Sequence, residues 1–543
     1  MTLGEKIVHL RAVNNISQEK LAKMLKISRQ SISKWESDES TPQIEKIVEL
    51  CKLFDVTADE LIDDQIVIHK NKDFIIDSNI KNKYFGTDGF RGEANKILKS
   101  DHAYKIGRFL GWFFSNPKYS LHKQGYRPRI VIGKDTRRSS YMYEYAIAAG
   151  LAASGADVYL LHVTTTPSVS YITRTEGFDC GIMITASHNP YYDNGIKILN
   201  DLGEKLDNSI SSLIESYIDG DLNKLGIEED DLPLATKENI GIIIDYVAGR
   251  NRYIGYLISV AMHSYKDLKI GLDSANGSAW MIARSVFSTL GAKVYTINDN
   301  PNGLNINLDA GSTHIEKLCQ FVKDNKLDIG FAFDGDADRC IAVDENGNVI
   351  DGDKIIYILA RKLKQEGALL DNTVVTTVMS NKGLSKALKE LGIEEVKTDV
   401  GDRFVYAAMQ EGGYTLGGEQ SGHIIYRKYA TTGDGILTAL MITEQVLEEK
   451  EKLSKLCNSV KIYPQKLVNV RVTSKDSVMK DSVILEKYAV LQKEIDDSGR
   501  ILLRKSGTEP VVRIMVEAET LNMCDYYIEK IYSLLKKRGY VCD

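Results

Sequence analysis

Cys180-Gly181-Ile182-Met183-Ile184-Thr185-Ala186-Ser187-His188-Asn189-Pro190 is the stretch on which the fold of this chain turns. A short apolar run bounded by polar residues predicts a buried strand that runs straight into a loop. In an open α/β sheet, ligands collect at the carboxyl ends of such strands, so Ser187 stands where a nucleophile is presented. Asn189-Pro190 favours a turn, and Asp193-Asn194-Gly195 supplies a second bend before Lys197. By spacing alone a Ser-His pair is a weak sign of nucleophilic catalysis, and a polar surface loop with a solvated serine is the plainer reading.

The same pattern recurs on either side. Residues 129–132 and 157–161 read as strands with a helix over 142–153 between them, an alternation that predicts a mainly parallel α/β domain. The first of these strands leads into Gly133-Lys134-Asp135-Thr136-Arg137, to which the sequence alone gives no firm role. A second α/β domain begins near residue 239, with strands over 269–272 and 293–295. Its apolar strand over 328–333 ends in Asp334-Gly335-Asp336-Ala337-Asp338-Arg339. Three carboxylates at alternate positions, bent by a glycine, converge hard oxygen ligands of the kind Mg²⁺ takes. A calcium-binding EF-hand also opens on alternating acids, but it wants glycine at its sixth position, where Arg339 stands.

Two further loops carry chemistry. In a third domain, after a β-branched strand over 373–379, Gly417-Gly418-Glu419-Gln420-Ser421-Gly422-His423 sets polar side chains between glycines. That composition suits recognition of sugar hydroxyls, and it equally describes an ordinary polar loop. In a last domain, Arg504-Lys505-Ser506-Gly507-Thr508-Glu509-Pro510 with Arg513 offers hydroxyls, backbone N–H groups and two guanidinium forks, which is a phosphate cradle by chemistry. Ahead of all these, Tyr84-Phe85-Gly86-Thr87-Asp88-Gly89-Phe90-Arg91-Gly92 is a turn-rich loop able to approach a ligand closely.

Residues 1–64 read differently, as a small helical bundle. Leu3, Ile7, Leu10 and Val13 follow helical spacing and Asn14-Asn15 ends that helix. Ser17 is the expected cap of a second helix with Leu21, Met24 and Leu25 on its apolar face, and Ser28 caps a third over 29–36. Two more helices are expected over 43–54 and 58–62. Lys6, Arg11, Lys20, Lys23, Lys26, Arg29 and Lys34 make the segment before position 35 basic, while acids dominate from Glu36 to Asp64. Any nucleic acid is therefore bound by one face of the bundle.

Two resemblances follow from these motifs. SQEKLAKMLKISRQSISKWE, residues 17–36, resembles the helix-turn-helix of phage-repressor-like (Cro/C1-type) regulators. The resemblance implies that Arg29, Gln30, Ser31 and Lys34 face the DNA major groove, that Gln18 meets phosphate, and that Ile32 and Trp35 pack inward. A bundle that only mediates dimerisation is the competing reading. From about residue 83 to the end, FGTDGFRG, ITASHNP, DGDADR, GGEQSGH and RKSGTEP occur in the order of the α-D-phosphohexomutase superfamily, which the chain resembles throughout that span.

The second resemblance implies a four-domain body: three mixed α/β sandwich domains and a smaller α+β C-terminal domain, behind an all-α helix-turn-helix domain. The expected boundaries are 1–64, a linker over 65–83, then 84–238, 239–348, 349–458 and 459–543. It implies Ser187 as a phosphoserine, with His188, Arg91, Arg339 and the acid/base Lys197 around it. Asp334, Asp336 and Asp338, with Ser187, are the implied Mg²⁺ ligands. Glu419, Gln420, Ser421 and His423 are implied at the sugar, and Arg504, Ser506, Gly507, Thr508 and Arg513 at the phosphate. Lys505 replaces the family's proline there, which relaxes the loop but removes no ligand atom.

Members acting on glucose or mannose phosphates commonly carry methionine after the glutamate, whereas the phosphoglucosamine mutase branch carries glutamine, as here. The implied reaction interconverts glucosamine 6-phosphate and 1-phosphate through a 1,6-bisphosphate, which (as the glucose or glucosamine compound) also primes the enzyme. The alternatives are a phosphomannomutase or phosphoglucomutase, or a transcription regulator whose mutase body senses sugar phosphates. A homodimer is expected, with DNA as a partner of residues 1–64 and a hexosamine phosphate as substrate.

Bulk properties exclude other classes. At 543 residues the chain is too long for one core. A net charge of −6 rules out a globally basic nucleic-acid binder, though not a local one. The seven cysteines are an odd number without a CxxC pair, which argues against a disulfide framework and for a reducing cytoplasm. Charges interrupt the apolar residues of the first fifteen positions, so no signal peptide is expected, and no apolar run approaches the roughly 18 residues that span a bilayer.

Overall fold

The computed structural model describes residues 2–13, 18–36, 39–54, 56, 58–62, 82–86, 88–116, 119, 125–228, 230–495, 498–506 and 511–542. They divide into two compact units. One comprises the chain up to Lys83 with the segments 113–126 and 207–231, and the other comprises Tyr84–Trp112, Arg127–Leu206 and Leu232–Asp543.

In the first unit, helices Leu3–Val13, Gln18–Met24, Arg29–Glu36, Ile44–Phe54 and Ala58–Ile62 surround a core of Ile7, Leu10, Leu21, Leu25, Ile32, Trp35, Leu50, Phe54 and Leu61. The Ser28 hydroxyl accepts from the Ser31 amide at 3.1 Å, capping the third helix as its sequence predicts. Two details differ from the helical-spacing argument. Ala22 turns inward while Met24 is 45% exposed, so the apolar stripe of the second helix is rotated from the Leu21, Met24 and Leu25 face toward Ala22. Lys6 is fully buried and Arg11 is held by Glu36 at 2.6 Å, which removes both from the basic face. The expected cap Ser17 lies outside the described residues, as does the linker apart from Asn82 and Lys83.

The second unit contains four sheets. The first runs in the order β1-β2-β6-β5-β3-β4-β7, with β1 Phe85–Gly86, β2 Gly89–Glu93, β3 Arg129–Lys134, β4 Asp157–Val163, β5 Cys180–Ile184, β6 Asp193–Leu199 and β7 Ile243–Asp245. β3, β4, β5 and β7 are parallel to their neighbours in that set, whereas β1, β2 and β6 form an antiparallel edge. β7 lies beyond residue 239, where the sequence suggests a new domain, because its parallel pairing with β4 completes the first sheet before the chain moves on. β3 and β4 also extend further than their apolar residues imply. Lys134 can enter the ladder because its ammonium is paired with the buried Glu144.

β8 Lys269–Asp273, β9 Lys293–Ile297, β10 Ile329–Phe333, β11 Cys340–Val343 and β12 Val349–Ile350 form the second sheet, in the order β12-β11-β10-β8-β9. The third, β14-β13-β15-β16, consists of β13 Thr373–Thr377, β14 Glu394–Thr398, β15 Leu416–Gly418 and β16 Ile424–Tyr426. β17 Gln465–Arg471, β18 Gly499–Lys505 and β19 Val511–Ala518 make a three-stranded antiparallel sheet, packed by helices Ser482–Ile495 and Leu521–Lys537. The fold is therefore an all-helical domain followed along the chain by three mixed α/β layers and a smaller α+β layer. A single hydrophobic core runs from Tyr253 through Phe331 and Ile356 to Leu440 and Val460, so the second and third sheets share an interior. That shared interior holds the acid loop and the sugar loop in fixed register.

Candidate active site

Every residue of β5 is buried, and the strand delivers the chain into Thr185–Pro190 at its carboxyl end. Ser187 adopts φ +50°, a left-handed conformation that costs a non-glycine residue about 1–3 kcal/mol and persists only where the surroundings impose it. The imposing groups are identifiable. Arg137, fully buried, donates from Nη2 to the carbonyls of Ser187 (3.0 Å) and Asn189 (2.8 Å). Its Nη1 reaches the carbonyls of Pro190 and Asp193. Asn307 Nδ2 donates to the same Ser187 and Asn189 carbonyls at 2.8 and 3.0 Å. Asp135 holds Arg137 Nε at 2.7 Å and accepts from the Thr185 hydroxyl at 2.8 Å, closing the frame.

Ser187 is only 2% exposed, so the solvated surface serine of the plainer reading is corrected: the loop is packed, not draped. Its hydroxyl donates to Asp334 Oδ2 at 2.5 Å and lies 3.3 Å from His188 Nδ1. Burial, then the positive charges of Arg339 and Arg91, pull the His188 imidazole down to a pKa of about 4, so it is neutral at pH 7.

The acid loop is the turn between antiparallel β10 and β11. Gly335 has no alternative there, because a Cβ would stand 2.5 Å from the Ser187 carbonyl oxygen. This close approach brings the serine onto the acids. One oxygen each from Asp334, Asp336 and Asp338 lie within 4.8 Å of one another, and all three residues are buried. Asp336 Oδ1 and Asp338 Oδ1 are buried and accept no hydrogen bond. Burial and the charges of Asp338 and Asp336 push Asp334 well above the usual carboxylate range. Asp338 is buried too, yet Lys197 and His423 hold it well below that range. Clustered hard oxygens with unsatisfied lone pairs are the donor set a small divalent cation requires, so these residues fit a bound Mg²⁺.

Lys197, on β6, places Nζ 2.6 Å from Asp336 and 3.1 Å from Asp338. An acting base needs a lowered pKa; here burial does pull the ammonium down, but the two carboxylates outweigh it and raise it. Arg91, on β2, faces Asp88 at 3.6 Å, and Asp88 also meets Lys205 at 3.3 Å, which in turn meets Asp402 at 2.5 Å.

Beyond the serine lies a cavity of about 500 Å³ whose walls include Arg91, His188, Arg339, Glu419, Gln420 and Ser421. The sugar loop is the β15–β16 turn. It is pinned to the acid hairpin by the Cys340 amide, which donates to the Gly422 carbonyl at 3.0 Å. Glu419 accepts from the Gly401 amide at 3.1 Å, and Gln420 Nε2 donates to Asp351 at 3.3 Å. His423 reaches the cavity wall but is 3% exposed, accepts from the Gly433 amide at 3.1 Å and sits 3.8 Å from Asp338. It braces the acid loop from the cavity wall.

In the C-terminal sheet, Arg504 and Arg513 are direct cross-strand partners. Burial and the Arg513 charge lower the Arg504 pKa, as expected of two facing guanidiniums. Ser506 is buried beside them, whereas Gly507 and Thr508 fall outside the described residues. None of Arg504, Ser506 and Arg513 lines the 500 Å³ cavity.

Family models match in chain order. Those for phosphoglucomutase/phosphomannomutase alpha/beta/alpha domains I, II and III cover residues 82–224, 251–347 and 351–463, and that for the C-terminal domain covers 467–530. A helix-turn-helix model covers residues 10–61. A phosphoglucosamine mutase of Lachnospira eligens is 56% identical over 458 residues, which is 84% of this chain and 99% of that protein. The phosphoglucosamine mutase of Streptococcus pneumoniae (strain Hungary19A-6) is 47% identical over 462 residues, 84% of this chain and 98% of that one. The chain belongs to the phosphoglucomutase/phosphomannomutase family. It is accordingly a phosphohexomutase, an isomerase, with a helix-turn-helix domain ahead of it.

Solved structures share the mutase fold. A phosphoglucomutase/phosphomannomutase family protein from Burkholderia thailandensis aligns with a TM-score of 0.68 at 24% identity, over 84% of this chain and 97% of that one. Aspergillus fumigatus N-acetylphosphoglucosamine mutase, solved with GlcNAc-6P and magnesium, aligns with a TM-score of 0.58 at 18% identity, over 84% and 96%. Among the described residues, no helix of this mutase is long and apolar enough to cross a membrane.

The resemblance places the Gly133–Arg137 loop near the site without a role for Asp135 or Arg137, and it gives Asn307 and Asp351 no place. β3 pairs with β5 in parallel, which brings the Gly133–Arg137 loop beside the Thr185–Pro190 loop. Asn307 and Asp351 arrive from segments with no motif.

Proposed function

We propose that this phosphohexomutase interconverts glucosamine 6-phosphate and glucosamine 1-phosphate through phosphoserine at Ser187 and a hexosamine 1,6-bisphosphate. The observation that carries the reading is the Ser187 hydroxyl seated on Asp334 within the three-carboxylate cluster, at the mouth of a cavity that also holds Gln420. The phosphoglucosamine mutase names of the relatives support the hexosamine assignment.

Asp334, Asp336, Asp338 and the Ser187 phosphoryl oxygen would hold Mg²⁺, which when bound supplies positive charge to the transferring group. The chain's own residues do the rest. Arg91 and Arg339 flank the phosphoryl oxygens and neutralise their charge. The substrate hydroxyl oxygen attacks phosphorus and gives up its proton, the Ser187 Oγ–P bond breaks, and the serine oxygen takes up a proton, so one proton passes from substrate to serine in each transfer to the sugar. Lys197, held protonated between Asp336 and Asp338, donates a proton to the departing serine oxygen and is reprotonated by the one the substrate hydroxyl loses, so its ammonium is restored with each transfer. Arg137, Asp135 and Asn307 fix the loop so that Oγ keeps one position through both half-reactions. Arg504, Ser506, Gly507, Thr508 and Arg513 hold the phosphate that is not reacting, and Glu419, Gln420, Ser421 and His423 face the sugar. Neutral His188 adds no competing charge beside the serine. The proposed domains are those bounded at 64, 83, 348 and 458, with the boundary between the first two mutase domains moved from 238 to beyond β7; the compartment is the cytoplasm, and the primer is glucose or glucosamine 1,6-bisphosphate.

Turnover of glucosamine, glucose and mannose 6-phosphates measured side by side, with bisphosphate primer, tests the assignment. Glucosamine phosphate should give the highest kcat/KM, and a preference for either neutral sugar would overturn it. Treating the protein with a chelator should remove turnover and added Mg²⁺ should restore it, whereas full activity in chelator would contradict the carboxylate-cluster assignment. Gln420→Met should shift preference toward glucose phosphate, because a thioether accepts and donates far less than an amide. Loss of one hydrogen bond to a charged group corresponds to roughly ten- to a hundredfold in the specificity ratio. An unchanged ratio would show that discrimination lies elsewhere.

Residues 1–64 are proposed to bind DNA as part of a homodimer. Arg29, Gln30 and Lys34 are exposed and Ser31 is half-buried on the third helix, while Ile32 and Trp35 are turned into the core. Gln18 is partly committed, donating to Glu36 at 2.7 Å, which leaves the third helix as the main reading element. Selection of bound fragments from genomic DNA should enrich a two-fold symmetric sequence with half-sites about 34 Å apart. No enrichment at low salt would reduce the module to an oligomerisation element.

A further inference from the structure

A second cavity, of about 540 Å³, takes no part in the proposed reaction. Its walls include Arg138 and Tyr141, from the start of helix Arg138–Ala153, and Arg250, Ser278 and Trp280 from the neighbouring layer. We propose that this cavity binds a nucleoside diphosphate.

The argument begins with charge. Two guanidiniums line the cavity and no carboxylate does so among its described residues. Neither Arg138 nor Arg250 makes an ion pair among the described residues, and Arg250 reaches only a backbone carbonyl, that of Val163, at 3.5 Å. The nearby acids are already engaged, Glu144 by the ammonium of Lys134 and Asp245 by His162 at 3.0 Å. Two guanidinium forks without acidic partners match the oxygens of a diphosphate. The rings supply the second half of the recognition. Trp280 is half-buried in the wall, and the Tyr141 ring is held in place by the Lys134 ammonium 3.7 Å from its centroid. Aromatic side chains of this kind favour a planar base, and the volume falls within the range of small-molecule sites.

Two residues of the cavity wall also connect it to the catalytic loops. Thr136, in its wall, stands between Asp135 and Arg137, which frame the Ser187 loop, and donates to the Asn276 carbonyl at 2.6 Å. Ser278 donates through its amide (2.9 Å) and its hydroxyl (3.0 Å) to the carbonyl of Gly335, in the acid loop. An occupant pressing on Thr136 and Ser278 therefore bears on the nucleophile and on the carboxylate cluster together, and its binding alters turnover.

The test is calorimetric titration of the full-length protein with ADP, adenosine and inorganic pyrophosphate, in the presence of saturating glucose 1,6-bisphosphate to occupy the active site. ADP should bind more tightly than either fragment. Arg138→Ala and Arg250→Ala should each weaken ADP by at least about tenfold, with melting temperature and ADP-free turnover unchanged. ADP should change the turnover of the wild type and not that of the double variant. Absence of ADP binding, binding abolished by the bisphosphate, or binding undiminished in both variants would overturn the site. Binding with no change in turnover would overturn the coupling.

Discussion

Replacing Ser187 by alanine is expected to reduce mutase turnover by on the order of 10⁶-fold, the scale seen when a nucleophile is removed from an otherwise intact site. The expectation rests on position. The Ser187 hydroxyl is the group that touches Asp334, and the neighbouring acids, Arg91 and Arg339 are arranged around it. The substitution deletes one oxygen from a buried loop whose shape is set by carbonyl contacts, not by the hydroxyl. It leaves Asp334 without one donor, a cost of about 1–3 kcal/mol for an unsatisfied buried group. Melting temperature should therefore fall modestly while turnover disappears. Turnover close to that of wild type would mean that another residue carries the phosphoryl group.

Arg137→Met should be nearly as damaging, by a different route. The guanidinium ties four carbonyls of the nucleophile loop and pairs with Asp135, and both Arg137 and Asp135 are fully buried. Methionine fills part of the volume but leaves Asp135 as an uncompensated buried charge, which costs about 3–5 kcal/mol. Of the side-chain hydrogen bonds to the Ser187 and Asn189 carbonyls, only the two from Asn307 then remain to hold Ser187 at positive φ. A displacement near 1 Å at the reacting oxygen is enough for about a hundredfold loss, so kcat should fall by at least about that factor with KM for the sugar phosphate little changed. Arg137→Lys should rescue folding better than activity, since an ammonium keeps the charge without the fork that spans four carbonyls. A variant with lowered melting temperature and unaltered kcat would assign Arg137 to stability alone.

These two residues also mark how far the sequence was legible. Ser187 was readable because its signal is local: a buried strand, a turn, and a motif within ten positions. The alternating acids of 334–338 and the helix-turn-helix were readable for the same reason, as each packs its chemistry into one short segment. Arg137 sat in a loop that looked equally punctuated but acquires its meaning from carbonyls some fifty residues later. Its role depends on strand order, which periodicity does not encode. The burial of Ser187 is likewise tertiary, imposed by Gly335 pressing on its carbonyl from another sheet. In the helical domain the errors were of the opposite kind. Spacing placed Met24 inside and Lys6 outside, because helical period fixes a stripe only to within one residue and the core selected Ala22.

The most direct test of the central claim is to incubate the protein with hexose 1,6-bisphosphate labelled with ³²P, digest it, and locate the label by mass spectrometry. A single labelled peptide carrying phosphate on Ser187, discharged on adding unlabelled hexosamine 6-phosphate, is the predicted result. Label on any other residue, or label on Ser187 that the sugar phosphate fails to remove, would contradict it.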